Sequence, residues 1–126
     1  VNVRGLFLCC RAFAVPMAER GDGVVVNVAS LAGKNFFPKG SVYAGSKHAV
    51  MGLSKSLMVE LRDRGVRVLT VCPGSVDTPF FDKADGHDPD PDRIVAPEDV
   101  AELIVDSVRL SDRGTVSEVE IRPVNP

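Results

Sequence analysis

Cysteine is scarce in this chain of 126 residues, and the placement of the three present excludes a disulfide framework. Cys9 and Cys10 are adjacent, and Cys72 lies in an apolar run that reads as a buried strand. None has metal-ligand spacing, and free thiols of this kind fit a reducing, cytoplasmic setting. Long hydrophobic runs are missing too: nothing approaches the ~20 residues of a membrane span. Arg4, Arg11, Glu19 and Arg20 break up the first twenty positions where a signal core would lie. No basic run is present. With 15 basic against 17 acidic residues the formal net charge is -2, which offers no electrostatic footprint for nucleic acid or an anionic membrane, so neither partner is expected. There are no internal repeats or low-complexity tracts, and the composition of 44% apolar and 25% charged residues is that of one ordinary globular domain. The first residue is Val1, with no cap signal before the first helical pattern, so the chain reads as a fragment.

What is present alternates between two periods. From Val3 to about Met17, Leu6, Phe7, Cys10, Phe13, Ala14 and Met17 recur at helical spacing as one buried stripe, with Pro16 bending or ending the helix. The turn Gly21-Asp22-Gly23 leads into Val24 to Ala29, a β-branched run typical of a parallel strand covered on both faces. Ser30 falls at the carboxyl end of that strand, the edge where ligands bind in open α/β sheets. After a loop from Leu31 to Gly40, a long helix runs from about Val42 to Arg64 on the stripe Val50, Leu53, Leu57 and Leu61, and Gly65 stops it in the left-handed conformation. Gly45 and Gly52 inside it predict close packing against a ligand or another helix. A second strand, Val66 to Cys72, completes a βαβ unit and runs into Pro73-Gly74. Phe80 to Val95 is an aspartate-rich, proline-punctuated surface loop; its His87 makes no standard metal site, and no metal is expected. Pro97-Glu98-Asp99 opens a helix on Val100, Leu103, Ile104 and Val108, and Ser117 to Arg122 is an edge strand with Glu118, Glu120 and Arg122 on a wet face.

Within the long helix, Tyr43 and Lys47 stand four residues apart, so they share a face. A neighbouring ammonium stabilises a phenolate, which makes Tyr43 a usable acid/base; on spacing alone a half-exposed aromatic beside a solvated lysine is the stronger explanation of the pair. The company of the pair decides for chemistry. Ser30, in Asn-Val-Ala-Ser-Leu-Ala-Gly, precedes this single tyrosine by thirteen residues; Asn2 lies upstream in Val-Asn-Val-Arg-Gly, and Cys-Pro-Gly-Ser-Val-Asp-Thr spans Cys72 to Thr78.

These four segments, in this order and spacing, resemble the short-chain dehydrogenase/reductase family, with its Tyr-x-x-x-Lys pair, its serine, its helix asparagine and its Pro-Gly-x-Val-x-Thr cofactor loop. The resemblance implies the C-terminal half of a doubly wound, Rossmann-like parallel α/β sheet, about three strands flanked by helices, as one unit over residues 1–126. The glycine-rich dinucleotide turn of the family's N-terminal half is not in the sequence. It implies hydride exchange between NAD or NADP and an alcohol or carbonyl substrate. Tyr43 would exchange the proton with the substrate oxygen, Ser30 would hydrogen-bond that oxygen, and Lys47 would bind the nicotinamide ribose. Asn2 would hold a water linking Lys47 to solvent. Pro73, Gly74, Val76 and Thr78 would line the cofactor, Gly74 by close backbone approach, Val76 by backbone groups to the carboxamide and Thr78 by its hydroxyl. The closing Val-Ser-Glu-Val-Glu-Ile-Arg-Pro resembles a subgroup in which NADP use is frequent. The complete protein would form a dimer or tetramer through its long helices, while the fragment alone would be inactive. Two alternatives are a truncated, non-enzymatic homologue acting only in subunit association, and an extended-type sugar-nucleotide epimerase sharing Tyr-x-x-x-Lys.

Overall fold

The structure, a computed structural model, describes residues 1–80 and 89–124. Its elements are α1 (Arg4–Arg20), β1 (Gly23–Val28), α2 (Ser41–Leu61), β2 (Val66–Pro73), α3 (Pro97–Val108) and β3 (Glu118–Ile121), with short 3-10 turns at Leu31–Gly33, Arg62–Arg64 and Pro91–Arg93. The strands form one parallel sheet in the order β1-β2-β3. Residues 81–88, with His87 and most of the aspartates assigned to a surface loop, lie outside the described residues.

Register and side-chain contacts define the layers. Asn27 is paired with Thr70 across the sheet, so the two project to one face, and Asn27 reaches both Cys10 on α1 and Ser54 on α2. Both helices therefore cover that face. The neighbouring Arg67 projects oppositely and donates to the Val108 and Leu110 carbonyls at the end of α3, which places α3 on the other face. With helices on both sides, β2 is buried along nearly its whole length; Val66, Val68, Leu69, Thr70, Val71 and Cys72 are all core residues. The Asn27 amide donates to Ser54 Oγ at 2.9 Å and its oxygen accepts from Cys10 Sγ at 3.7 Å. A buried amide without such partners would cost about 1–3 kcal/mol, so this link favours one register of α1 and α2 on β1. It carried no signal in the sequence, where Asn27 was one residue of a β-branched run and Cys10 a packing residue.

The helix ends follow the glycines. Gly21 closes α1 at φ +75° and donates its N–H to the Met17 carbonyl; Gly65 does the same service after α2 at φ +73°. A Cβ on Gly65 would lie 2.1 Å from the Gly21 carbonyl oxygen, so the two turns that feed β1 and β2 can lie side by side only with glycine there. Of the two effects expected of Pro16, a bend or an end, the end does not occur: α1 continues to Arg20, because the loss of one hydrogen bond is offset by the Gly21 cap and by packing of Ala14 and Met17. Its stripe is narrower than its sequence pattern, with Phe7 48% and Phe13 65% exposed. Gly45 and Gly52 have no atom of the described chain within 4 Å of a Cβ at either position.

The acidic residues of β3 do line a solvent-accessible face, Glu120 exposed and Glu118 half-buried, and cations from elsewhere in the chain meet them there. Glu118 and Glu120 pair in register with Thr70 and Cys72, and so project to the α2 side. There the Lys34 ammonium bridges both carboxylates, Lys55 of α2 reaches Glu118 at 3.1 Å, and Arg122 holds Glu120 at 2.8 Å. Lys34 and Lys55 hold the Glu118 carboxyl below its ordinary value, and Lys34 and Arg122 do so for Glu120. The carboxylates in turn raise Lys34 above the ordinary lysine value. A lowered carboxylate stabilises the fold above its unfolded value and loses that contribution as pH falls; a raised lysine stabilises below its unfolded value and loses it as pH rises. The protection of the Gly74 amide, which donates to Ile121, should therefore be greatest between about 4.5 and about 10.5, fall outside that window and weaken with salt. Hydrogen exchange measured against pH checks this; a flat protection factor across pH 3 to 6 would contradict it.

Candidate functional site

Ser30, Tyr43 and Lys47 are assembled at the carboxyl edge of β1. The strand's last residue is Val28, and Ser30 follows in extended conformation as the cap of the turn Leu31–Gly33. Its Oγ accepts a hydrogen bond from the Ala32 N–H at 3.1 Å. That bond uses an acceptor site of the hydroxyl and fixes its oxygen, leaving the O–H available as a donor. The turn lies on α2 through Gly33: a Cβ there would come within 2.8 Å of both the Lys47 carbonyl oxygen and Met51 Cγ. Gly33 thus brings the serine turn against the helix that carries Tyr43 and Lys47, and it went unnoticed in the sequence although it closes the serine segment.

Lys47 lies on the same helix face as Tyr43, its Nζ 5.8 Å from the centre of the phenol ring. The ammonium donates to the Val28 carbonyl at 3.2 Å, tying α2 to the end of β1. Burial pushes Lys47 below the ordinary lysine value. Tyr43 itself is half-buried between two tilted phenyl rings, Phe80 at 5.7 Å and Phe37 at 6.5 Å. Neither phenylalanine was singled out from the sequence, since both sit in segments without periodicity.

Asn2 is not inside a helix but in the turn before α1, exposed. It nonetheless reaches α2: its amide donates to Ser46 Oγ at 3.1 Å, and Ser46 donates in turn to the Tyr43 carbonyl at 2.7 Å. The asparagine is therefore one serine away from the Tyr43 backbone, and that serine immediately precedes Lys47 in sequence. Asn2, Tyr43 and Ser46 line an open groove of about 740 Å³ with Arg4, Lys39 and Ser41; Ser30 and Lys47 are not among its lining residues.

The loop after β2 is built by pairing with neighbouring chain. β2 extends through Pro73, and Gly74 donates to Ile121 of β3 at 2.8 Å. The close approach that Gly74 permits is to its own chain, since a Cβ would meet Leu31 at 3.2 Å and Pro123 at 3.3 Å. Val76 forms a parallel bridge with Val95, in which Asp77 N–H and Ser75 C=O make the ladder bonds. In that pattern the N–H and C=O of Val76 itself point the opposite way. Thr78 is exposed, its hydroxyl donating weakly to the Val76 carbonyl at 3.4 Å. The described donors at this edge are a hydroxyl, an ammonium, a phenol and a strand backbone. Such a set suits a carboxamide and a sugar diol, and it includes no cradle of glycine amides for a pyrophosphate.

A family profile described as short chain dehydrogenase matches residues 1–88. The chain belongs to the short chain dehydrogenase family. It is 49% identical over 80 residues to the 2-(R)-hydroxypropyl-CoM dehydrogenase of Xanthobacter autotrophicus, an alignment covering 64% of this chain and 32% of that protein. An uncharacterized oxidoreductase of Staphylococcus saprophyticus is 32% identical over 124 residues, 98% of this chain and 52% of the relative. Among solved structures, the closed form of serine dehydrogenase complexed with NADP+ superposes with a TM-score of 0.87 at 30% identity, over 98% of this chain and 53% of that one. The short chain dehydrogenase chain described here thus spans about half the length of these longer relatives or less, and its three parallel strands with flanking helices are part of a Rossmann-like sheet.

Gly33 and Gly45 provide a paired test of how the site is assembled. Gly33→Ala should destabilise the protein by about 1–3 kcal/mol, because the turn must move off the Lys47 backbone. Gly45→Ala, facing open space in a helix, should be neutral or stabilising by up to ~1 kcal/mol. Urea denaturation of both variants checks this; equal stability would remove the close contact as a constraint.

Proposed function

We propose that these 126 residues are the C-terminal catalytic half of an NAD(P)-binding short-chain dehydrogenase/reductase domain that moves hydride between NAD(P)(H) and a small alcohol or carbonyl substrate. The observation that carries the reading is the convergence of Ser30, Tyr43 and Lys47 on one strand edge through the Gly33 contact and the Lys47–Val28 hydrogen bond. When bound, the nicotinamide supplies or accepts the hydride. Tyr43 then gives a proton to the carbonyl oxygen in reduction, or takes one from the hydroxyl in oxidation. Ser30, its oxygen fixed by the Ala32 N–H, donates to the same oxygen and stabilises the charge that develops there. Lys47 holds the ribose hydroxyls with the ammonium hydrogens not directed at Val28. Asn2, bonded to Ser46, orders the turn of α2 between the tyrosine and the lysine and holds a water on the Lys47 side. Val76 presents its outward N–H and C=O to the carboxamide, with Pro73, Gly74 and Thr78 shaping the loop around it.

The NADP form of the cofactor is favoured by the closing segment from Val116 to Pro123 and by the NADP+ named with the serine dehydrogenase at 30% identity. The exposed Phe7, Leu8, Phe13 and Val15 of α1 support a homo-oligomer of the complete protein, and would equally serve a non-enzymatic association module. Micromolar binding of NADPH or NADH by the full-length protein separates the two, since an association module has no use for it. No helix among the described residues is long and apolar enough to cross a membrane. In the full-length protein Tyr43→Phe should cut turnover by about 100-fold or more with little change in melting temperature. Near-normal turnover in that variant would sink the assignment.

A further inference from the structure

The ion-pair group around Lys34 is the strongest feature that the hydride-transfer reading leaves unused. Lys34 ends the short turn that begins at Ser30, and its N–H donates to the Leu31 carbonyl at 3.0 Å. Its ammonium reaches across to two carboxylates two residues apart on β3, Glu118 and Glu120. Each is held from a second side, Glu118 by Lys55 on α2 and Glu120 by Arg122, whose Nε and second guanidinium nitrogen meet one carboxylate oxygen at 3.0 and 2.8 Å. The uncharged neighbour beneath this group is Cys72, which pairs with Glu120 in the sheet and whose thiol burial pushes upward. The last strand of the chain is thereby tied to the turn that caps on Ser30. A single exposed ion pair would contribute little, but here one ammonium serves two carboxylates that are each fixed by another cation, and such a group sets geometry as well as energy.

Two contacts hold the serine turn on opposite sides. Gly33 rests on the Lys47 backbone, and Lys34 pulls the following residue toward β3. Leu31 closes the third side against Gly74, 3.2 Å from where a Cβ would stand. We propose that Lys34 is a positioning residue for Ser30, with Glu118 and Glu120 as its anchors, so that the C-terminal strand sets the reach of the serine hydroxyl toward the substrate oxygen. This rests on the reading of Ser30 as the hydrogen-bond donor to that oxygen. Lys34 touches neither substrate nor cofactor in this role; it acts through the backbone of the turn.

The test uses the full-length protein and two independent readouts. In Lys34→Met the Ala32 amide, bonded to Ser30 Oγ, should exchange about tenfold faster, while amides in β1 and β2 keep their protection. Turnover should fall by about tenfold or more through kcat, with the KM for NADPH unchanged, because a small displacement of a positioned group acts on the transition state. Lys34→Arg, which retains a cation able to meet both carboxylates, should restore both readouts. An unchanged Ala32 exchange rate in Lys34→Met would overturn the proposal, and so would faster exchange with kcat intact. Should hydride transfer itself be the wrong reading, Tyr43→Phe would keep its turnover, and the Ala32 exchange rate would still decide whether Lys34 holds the turn.

Discussion

The contact between Gly33 and the Lys47 carbonyl is the constraint on which the site depends. A side chain at position 33 has no room, since a Cβ would press on the Lys47 backbone as well as on the Met51 side chain, and the backbone cannot swing aside. With glycine there, the turn after β1 lies flat on α2, and two stretches distant in sequence meet: the serine segment and the Tyr-x-x-x-Lys helix. Everything else on this edge refines that meeting. The Lys47 ammonium fastens α2 to the Val28 carbonyl, Asn2 fastens the entry of α1 to α2 through Ser46, and Gly74 lets Leu31 and Pro123 close over the end of β2.

Parallel pairing of β1 with β2 explains why these contacts fall on one edge. In a βαβ unit both strands end on the same side, so the segment after each strand meets the N-terminal half of the connecting helix. Burial of β2 on both faces supplies the hydrophobic stabilisation, and the Asn27–Ser54 hydrogen bond adds specificity inside an otherwise apolar layer. The outer edge of β1 pairs with no strand among the described residues, and exposed phenylalanines remain on α1. Both features match a chain that covers about half of its longer relatives.

Periodicity made most of this architecture legible. The β-branched runs at Val24 and Val66 and the apolar stripe on α2 could hardly read otherwise, and Gly65 marked its turn by conformation alone. The candidate site residues stood out because their order and spacing resemble a family, whereas their contacts were not legible. Long-range partners such as Asn2 with Ser46, or Lys34 with Glu118, leave no trace in local pattern, because they are set by how the layers stack. The alternation in β3 put its glutamates on a wet face, where they lie, but could not show the cations that meet them, which come from a turn and a helix far upstream. Pro16 likewise argued for a bend or an end in α1, and the Gly21 cap and the packing of Met17 carry the helix past it.

The most direct measurement is a crystal structure of the full-length protein with NADP+ bound. The account predicts the nicotinamide between Tyr43 and Val76 at the carboxyl edge of the sheet, the Lys47 ammonium shared between the ribose and the Val28 carbonyl, and Ser30 still capped by the Ala32 N–H. A nicotinamide ring bound away from Tyr43, or a serine turn lifted off Gly33's seat on α2, would contradict it.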